Sequence, residues 1–518
     1  MKLEVLDLAV IAAYFCVVVA VALFVAFVTS RKREARTSSG YFLAGRTLPW
    51  FLIAASLYAT DMSSFAFIAV AGSGYLHGML YAHYQWMAAV CLLVLAIFVL
   101  PHYLKSGIFT MPEFLKRRYG SSLENLYAFI TLFIYCVIDI PVALYSASLL
   151  LGNLMDVPGW WIIIGVGVIT TFYTVSGGLR AVVYMDFVQA ILILGGGAYL
   201  SFKALAAVGG WGQLKAQLSP EMFHTFRPMS DPDIPWTGLC SGLLLLGLWF
   251  WTTNQSMTQR VLAGRDLNES RLGATVAGML KFTIPFLGLV PGMCGILLYP
   301  KLAKADMVYP RLVVDLLPVG FRGLMVATLF AALMSTIDSI LNSATTIFTR
   351  DVYMKWRPQA DERTLVRVGR ITCVAVMVLG VCLAYLPSKA ELIYNYLQNM
   401  YGFFAAPVVV IFFLGIGWRR GNKWGALAAL LGSIAFGVVL QLETSIRLHH
   451  RIGFSALFAV IALVVVSLLT SRPPEESLKD TTYRRGERTP FVKPFWKDYR
   501  PWVVVLVIII LSTWWTFR

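Results

Sequence analysis

Charge is scarce in this sequence. Asp, Glu, Lys and Arg supply 14% of the 518 residues and apolar types 58%, which is too little charge for ordinary soluble domains. The seven cysteines (Cys16, Cys91, Cys136, Cys240, Cys294, Cys373 and Cys382) contain no CxxC pair, which excludes a zinc-ribbon or thioredoxin-type motif. Their scatter through apolar stretches marks them as small buried hydrophobes, with no disulfide framework. No GxxxxGK[ST] loop occurs, so a P-loop ATPase is excluded and uphill movement of a solute would need an ion gradient. There is no HExxH, and no serine–histidine arrangement stands out among six histidines; the chain is not expected to be an enzyme.

Acidic residues are the scarcer sign, 27 against 43 basic, for a net charge of +16. Such a balance can mark a nucleic-acid partner, but its placement argues against one. The basic clusters Arg31-Lys32-Arg33, Lys116-Arg117-Arg118, Arg419-Arg420 and Arg484-Arg485 fall in alternate gaps between apolar stretches. That is the positive-inside bias of a membrane protein with its N-terminus outside.

What is abundant is apolar length. About fourteen stretches are long enough to cross a hydrocarbon core of roughly 30 Å. The first lacks a small-residue cleavage site and reads as a retained helix. The expected organisation is a single transmembrane domain over 1–518.

Two of the spans are interrupted. ATDMSSFAFIAVAGSGY (59–75) puts an aspartate, a threonine and two serines in the middle of an apolar segment, and GLCSGLLLLGLWFW (238–251) turns abruptly into Thr252-Thr253-Asn254-Gln255. They lie five spans apart, the spacing of an inverted repeat of five helices each. Broken helices free backbone carbonyls and amides, which is tolerated at membrane depth only where they line a cavity or bind something. A charge at that depth is usually kept for an ion or substrate path.

A third stretch, FAALMSTIDSILNSATTIFTRDVY (330–353), places Ala332, Ser335, Thr336 and Ser339 at i, i+3, i+4 and i+7 of a helix, one narrow stripe with Asp338 and Asn342 at its edge. Hydroxyls in a bilayer helix commonly bond their own backbone or a neighbour. Hard oxygens are also what an alkali cation requires, and the carbonyls freed near Ala59 and Met62 would complete such a set.

YFLAGR (41–46), the ATDMSS helix, GGLRAVVYMDFVQA (177–190), NQSMTQRVLAGRDLNESRLGA (254–274) and MSTIDSILNSATTIFTRDVY (334–353) together resemble the solute:sodium symporter family, which includes the sodium–glucose and sodium–proline cotransporters. The resemblance covers roughly 40–420. It implies an all-α membrane protein of the LeuT-type fold, a five-plus-five inverted repeat, with about 14 transmembrane helices in all: an extra N-terminal helix at about 5–30, a ten-helix core at about 47–417 and three C-terminal helices at about 424–518.

It also implies a sodium site made by the carbonyls of Ala59, Met62 and Ala332 and the hydroxyls of Ser335 and Thr336, with Asp61 ionised beside the cation. A second cation position would involve Asp186, Asp338 and Ser339. Substrate contacts would come from Tyr84, Gln85, Asp139, Lys281 and Gln398, with Phe250 and Trp251 as flat surfaces for a ring. An Asp139–Lys281 pair is expected to face the cavity, because a buried lysine needs a partner. Ala66 and Gly247 thin the polar lining.

The function so implied is sodium-coupled import of a small polar organic solute, a sugar first, by alternating access. An amino acid or small carboxylate is the alternative, and a nutrient-sensing receptor without transport the remote one. The expected partners are Na+ as coupling ion, the substrate and the lipid bilayer of a plasma or bacterial inner membrane, with no nucleic acid and no other cofactor.

Overall fold

The computed structural model describes residues 4–30, 37–62, 64–155, 157–231, 233–389, 393–442, 446–483 and 490–518. The clusters at 31–33 and 484–485 and the side chain of Ala66 lie outside the described residues. Every extended element among them is a helix; strand-like pairing is confined to two isolated bridges, Leu48 with Gly264 and Arg227 with Pro235.

In chain order the long elements are α1 (Val5–Ser30), α2 (Trp50–Asp61), α3 (Ser64–His77), α4 (82–106), α5 (Ser121–Leu149), α6 (Gly159–Ala207), α7 (236–253) and α8 (Gln255–Leu262). There follow α9 (Leu267–Leu298), α10 (Phe321–Ile347), α11 (Glu362–Leu383), α12 (Ile393–Gly417), α13 (Lys423–Leu442), α14 (Leu448–Leu469) and α15 (Tyr499–Thr516). Ten helices among the described residues are long and apolar enough to cross a membrane. Part of the difference from the fourteen stretches counted in the sequence is structural. α6 continues for 49 residues through a turn at Gly178, and the two interrupted spans are divided into short pieces. Gly178 has φ 57°, and a Cβ there would stand 2.4 Å from the Tyr41 carbonyl oxygen, so only glycine fits the turn.

Both interruptions are present. α2 ends at Met62, whose φ and ψ of −89° and 82° leave the helix, and α3 begins at Ser64. α7 ends at Asn254, extended at φ −71° and ψ 130°, and its side chain caps α8 by accepting from the Ser256 amide at 2.9 Å. Leu48, just before α2, accepts from Arg265 N–H and donates to the Ala263 carbonyl, both at 3.1 Å, tying the entrance of one broken helix to the exit of the other.

Burial orders the helices. Within the apolar windows of the spans, 89% of α10 is buried but only 11% of α15, so α10 stands in the middle and α15 at the rim. α10 packs against α1, α6 and α2, while α9 packs against α2 and α4. The outward faces of α13, α14 and α15 expose Leu431, Val439, Leu457, Ile461 and Ile508, side chains suited to lipid tails.

Candidate ion and substrate site

The break after α2 is where the polar stripe of α10 arrives. Ser335 Oγ donates to the Ala59 carbonyl at 2.7 Å, with the Ala332 carbonyl 3.2 Å away. Thr336 Oγ1 lies 3.0 Å from the Thr60 carbonyl and 3.2 Å from that of Ala332. Ala59, Ala332 and Ser335 are fully buried. Met62 is buried at the end of the helix, its N–H bonded to Ala59 O at 3.2 Å. The cluster holds carbonyl and hydroxyl oxygens and no sulfur or imidazole, the donor chemistry of a hard monovalent cation.

A cavity of about 270 Å³ opens beside this cluster. Thr60, Asp61 and Thr336 form its floor, Thr60 and Thr336 in common with the oxygen cluster. Gln85 of α4, Asp139 of α5, Phe250 and Trp251 of α7, and Gln398 and Tyr401 of α12 line its walls. The Gln85 Oε1 atom has no hydrogen-bond partner among the described residues. Gly247 contributes no side chain to the wall, as the sequence indicated.

The expected Asp139–Lys281 pair is not formed. Lys281, fully buried, pairs with Asp61 Oδ2 instead, and its ammonium lies 4.8 Å from the centre of the Trp251 ring. The reason is the packing of α9 on α2, which carries Lys281 to the broken end of that helix. Asp139, on α5, faces α12, where Tyr401 OH donates to its Oδ1 at 2.7 Å. Asp61 therefore has a fixed cation as its partner.

Asp186, Asp338 and Ser339 do come together, around a group the sequence reading overlooked. Arg260 of α8, 1% exposed, reaches Asp186 Oδ2 at 3.5 Å, donates from Nε to Ser56 Oγ at 2.6 Å and touches Ser339 Oγ and the Ser256 carbonyl. Asp338 accepts from Tyr173 OH at 2.5 Å and from Ser339 Oγ at 3.0 Å. Ser339 and Thr60 hydroxyls lie 3.0 Å apart, which links this cluster to the broken end of α2. An arginine inside the apolar core was the available signal, in the already quoted NQSMTQR segment.

Three tyrosines seal the cavity below the second break. Tyr103 OH donates to Thr252 O and Tyr127 OH to Thr253 O, each at 2.9 Å, and Tyr135 OH donates to Asn254 Oδ1 at 2.5 Å. Tyr135 also accepts from the Ser256 amide at 3.0 Å. Groups freed by the break are thereby satisfied without water. At the opposite end, Tyr81 and Tyr84 line the mouth and stack 5.8 Å apart. Tyr84 OH lies 3.1 Å from His449 Nε2, and His77, next to Tyr81, is 3.0 Å from Asp233.

A family model described as Sodium:solute symporter family matches residues 41–433. The chain belongs to this family. Similar proteins include the sodium/mannose cotransporter SLC5A10 of Bos taurus, 35% identical over 93% of this chain and 89% of its own length. The sodium/glucose cotransporter 4 of Danio rerio is 32% identical over 96% and 85%, and the sodium/myo-inositol cotransporter 2 of Sus scrofa 34% over 93% and 79%. Among solved structures, a Na+-coupled sialic acid symporter in a substrate-bound outward-open state superposes with a TM-score of 0.82, covering 90% of this chain and 99% of that one at 21% identity. The nucleobase-cation-symport-1 transporter Mhp1 gives 0.53 over 86% and 98% at 18% identity. These likenesses bear out the LeuT-type fold. Members of the family are integral membrane transporters that move solutes with sodium; they are not enzymes.

Proposed function

We propose that this symporter imports a neutral polyhydroxylated solute, a hexose or a cyclic polyol, with one sodium ion per cycle. The observation that carries the reading is the shared floor: Thr60, Asp61 and Thr336 belong both to the cavity and to the surroundings of the oxygen cluster. A sodium ion taken up by the Ala59, Met62 and Ala332 carbonyls with the Ser335 and Thr336 hydroxyls would draw α10 and the end of α2 together and fix that floor. Sodium then raises substrate affinity, and by linkage substrate raises sodium affinity to the same degree. One ion moving down about 100 mV contributes roughly 2.3 kcal/mol, to which its concentration gradient adds.

Charge pairing supports a neutral substrate over an amino acid or carboxylate. Of the carboxylates that line the cavity, Asp61 is already matched by the ammonium of Lys281, buried behind it, and Asp139 adds a second one to the wall. A substrate carboxylate would face that negative group without an uncommitted cation among the described residues that line the cavity. Hydroxyls suit Asp139, Gln85 and Gln398, with Phe250 and Trp251 for the ring face. The relatives carry mannose, glucose and myo-inositol, as their names state.

For the second cation position, the reading is that the guanidinium of Arg260 serves as a built-in cation between Asp186 and Ser339. This supports a single coupling ion.

Uptake of labelled glucose, mannose, myo-inositol and proline into proteoliposomes, with and without an inward sodium gradient, tests the proposal. Sodium-dependent accumulation of a polyol is expected. Accumulation of proline alone would overturn the substrate assignment and leave the ion site standing.

A further inference from the structure

The cavity is taller than the set of groups gathered at its floor. On α5, Asp139, Val142, Ala143 and Ser146 all line it, at i, i+3, i+4 and i+7, a single face of the helix. Asp139 sits low, tied to Tyr401. Ser146 sits two helical turns further along α5, and Ala69, Val70 and Ser73 of α3, which packs against this part of α5, line the same cavity.

Hydroxyls on these helices commonly return to a carbonyl one turn back. Ser73 bonds Ala69 O at 2.7 Å, Thr131 bonds Tyr127 O at 2.8 Å and Thr252 bonds Leu248 O at 2.6 Å. Ser146 does not: it is 5% exposed and its Oγ has no hydrogen-bond partner among the described residues. An unpaired buried hydroxyl costs free energy unless something outside the chain satisfies it. Its immediate neighbours in the cavity wall, Val142 and Ala143, offer no polar side chain.

We infer that Ser146 is a specificity-determining residue, bonding the hydroxyl at the end of the substrate remote from Asp61 and Lys281. The inference rests on the polyol reading and deepens it. A substrate spanning the cavity would place one hydroxyl among Asp61, Asp139 and Gln398, and another against Ser146. The hydroxyl both donates and accepts, so it recognises the presence and position of a substrate hydroxyl rather than a charge. Polyols differing only at that carbon would then be separated by affinity, while the turnover of bound substrate is left alone.

The test pairs a protein change with a substrate change. Apparent KM for sodium-driven uptake is measured for glucose, mannose and myo-inositol, and for single-position deoxy analogues of the best of them. Wild-type protein and Ser146→Ala are compared, with sodium-dependent thermal stabilisation confirming that the variant folds and binds its ion. A neutral hydrogen bond corresponds to about a three- to tenfold change in KM. One deoxy analogue is expected to lose that factor in the wild type and to lose nothing further in Ser146→Ala, with kcat unchanged in both. Equal penalties for every analogue in both proteins, or an unaltered KM for all substrates in Ser146→Ala, would overturn the inference while leaving the polyol reading intact. Absence of polyol uptake by the wild type would overturn both.

Discussion

Ser335 of α10 holds its hydroxyl 2.7 Å from the carbonyl oxygen of Ala59, the residue three before the end of α2. The two are 276 residues apart in sequence, and that contact joins the most buried helix to the most irregular one. A cation taking both oxygens as ligands replaces a proton-mediated link with a stronger one. Ser335→Ala with Thr336→Ala removes two of the five oxygens. Sodium affinity is expected to fall at least tenfold, about 1.4 kcal/mol, with sodium-independent binding of substrate retained. Sodium titration of thermal stability checks this; an unshifted midpoint would remove the oxygen cluster from the coupling mechanism.

The Lys281–Asp61 pair makes a sharper demand. Lys281 is fully buried and Asp61 18% exposed at its side chain. Removing one partner of a buried pair leaves the other unmatched, at a cost of about 3–5 kcal/mol, whereas removing both can be close to neutral. Lys281→Met is therefore expected to unfold the protein at a clearly lower temperature, and Lys281→Met with Asp61→Asn to recover most of the loss. Transport need not recover, because Asp61 lines the cavity. Equal Tm values for the single and double variants would show that the pair is not coupled.

Arg260 yields a prediction about ion counting. With its guanidinium between Asp186 and Ser339, the sodium dependence of uptake is expected to follow a Hill coefficient near one. Substituting Arg260→Gln leaves Asp186 and Asp338 without their internal cation, and a second sodium ion would then compensate. The Hill coefficient should rise toward two, at reduced maximal rate. A wild-type coefficient near two would remove the single-ion stoichiometry.

Much of this was legible in the sequence because membrane depth is unforgiving. Polar residues at 59–64 and 252–255 had no cheaper explanation than broken helices, and both breaks are found. The stripe at Ala332, Ser335 and Thr336 follows from helical periodicity alone, and the structure brings it to Ala59. Pairings between helices were less legible. The expectation of an Asp139–Lys281 pair rests on the family resemblance, which puts both in the substrate site, and on the need of a buried lysine for a partner. Which charge it meets depends on how α9 lies against α2, and one-dimensional patterning does not carry that. Arg260 was overlooked for a related reason: the sequence displays an arginine in a motif, while its four partners come from α2, α6, α8 and α10.

The tyrosine seal concerns the other end of the cycle. Tyr135 bridges Asn254 Oδ1 and the Ser256 amide, so one phenol holds both sides of the break between α7 and α8. Opening the cavity on the side of Tyr103, Tyr127 and Tyr135 requires these bonds to be exchanged for water. Tyr135→Phe keeps the ring and removes both phenol bonds, while Asn254 Oδ1 and the Ser256 amide keep the bond between them, so the loss is about 0.5–1.5 kcal/mol. Because that cost falls on the sealed state, the equilibrium shifts toward the opened one. An uncoupled sodium flux in the absence of substrate is the expected sign, together with a several-fold weaker apparent affinity for substrate offered at the mouth formed by Tyr81 and Tyr84. Labelled sodium efflux from substrate-free proteoliposomes measures the first quantity and the KM of uptake the second. If Tyr135→Phe leaves both at wild-type values, the hydroxyl is a packing detail and the seal rests on Tyr103 and Tyr127 alone.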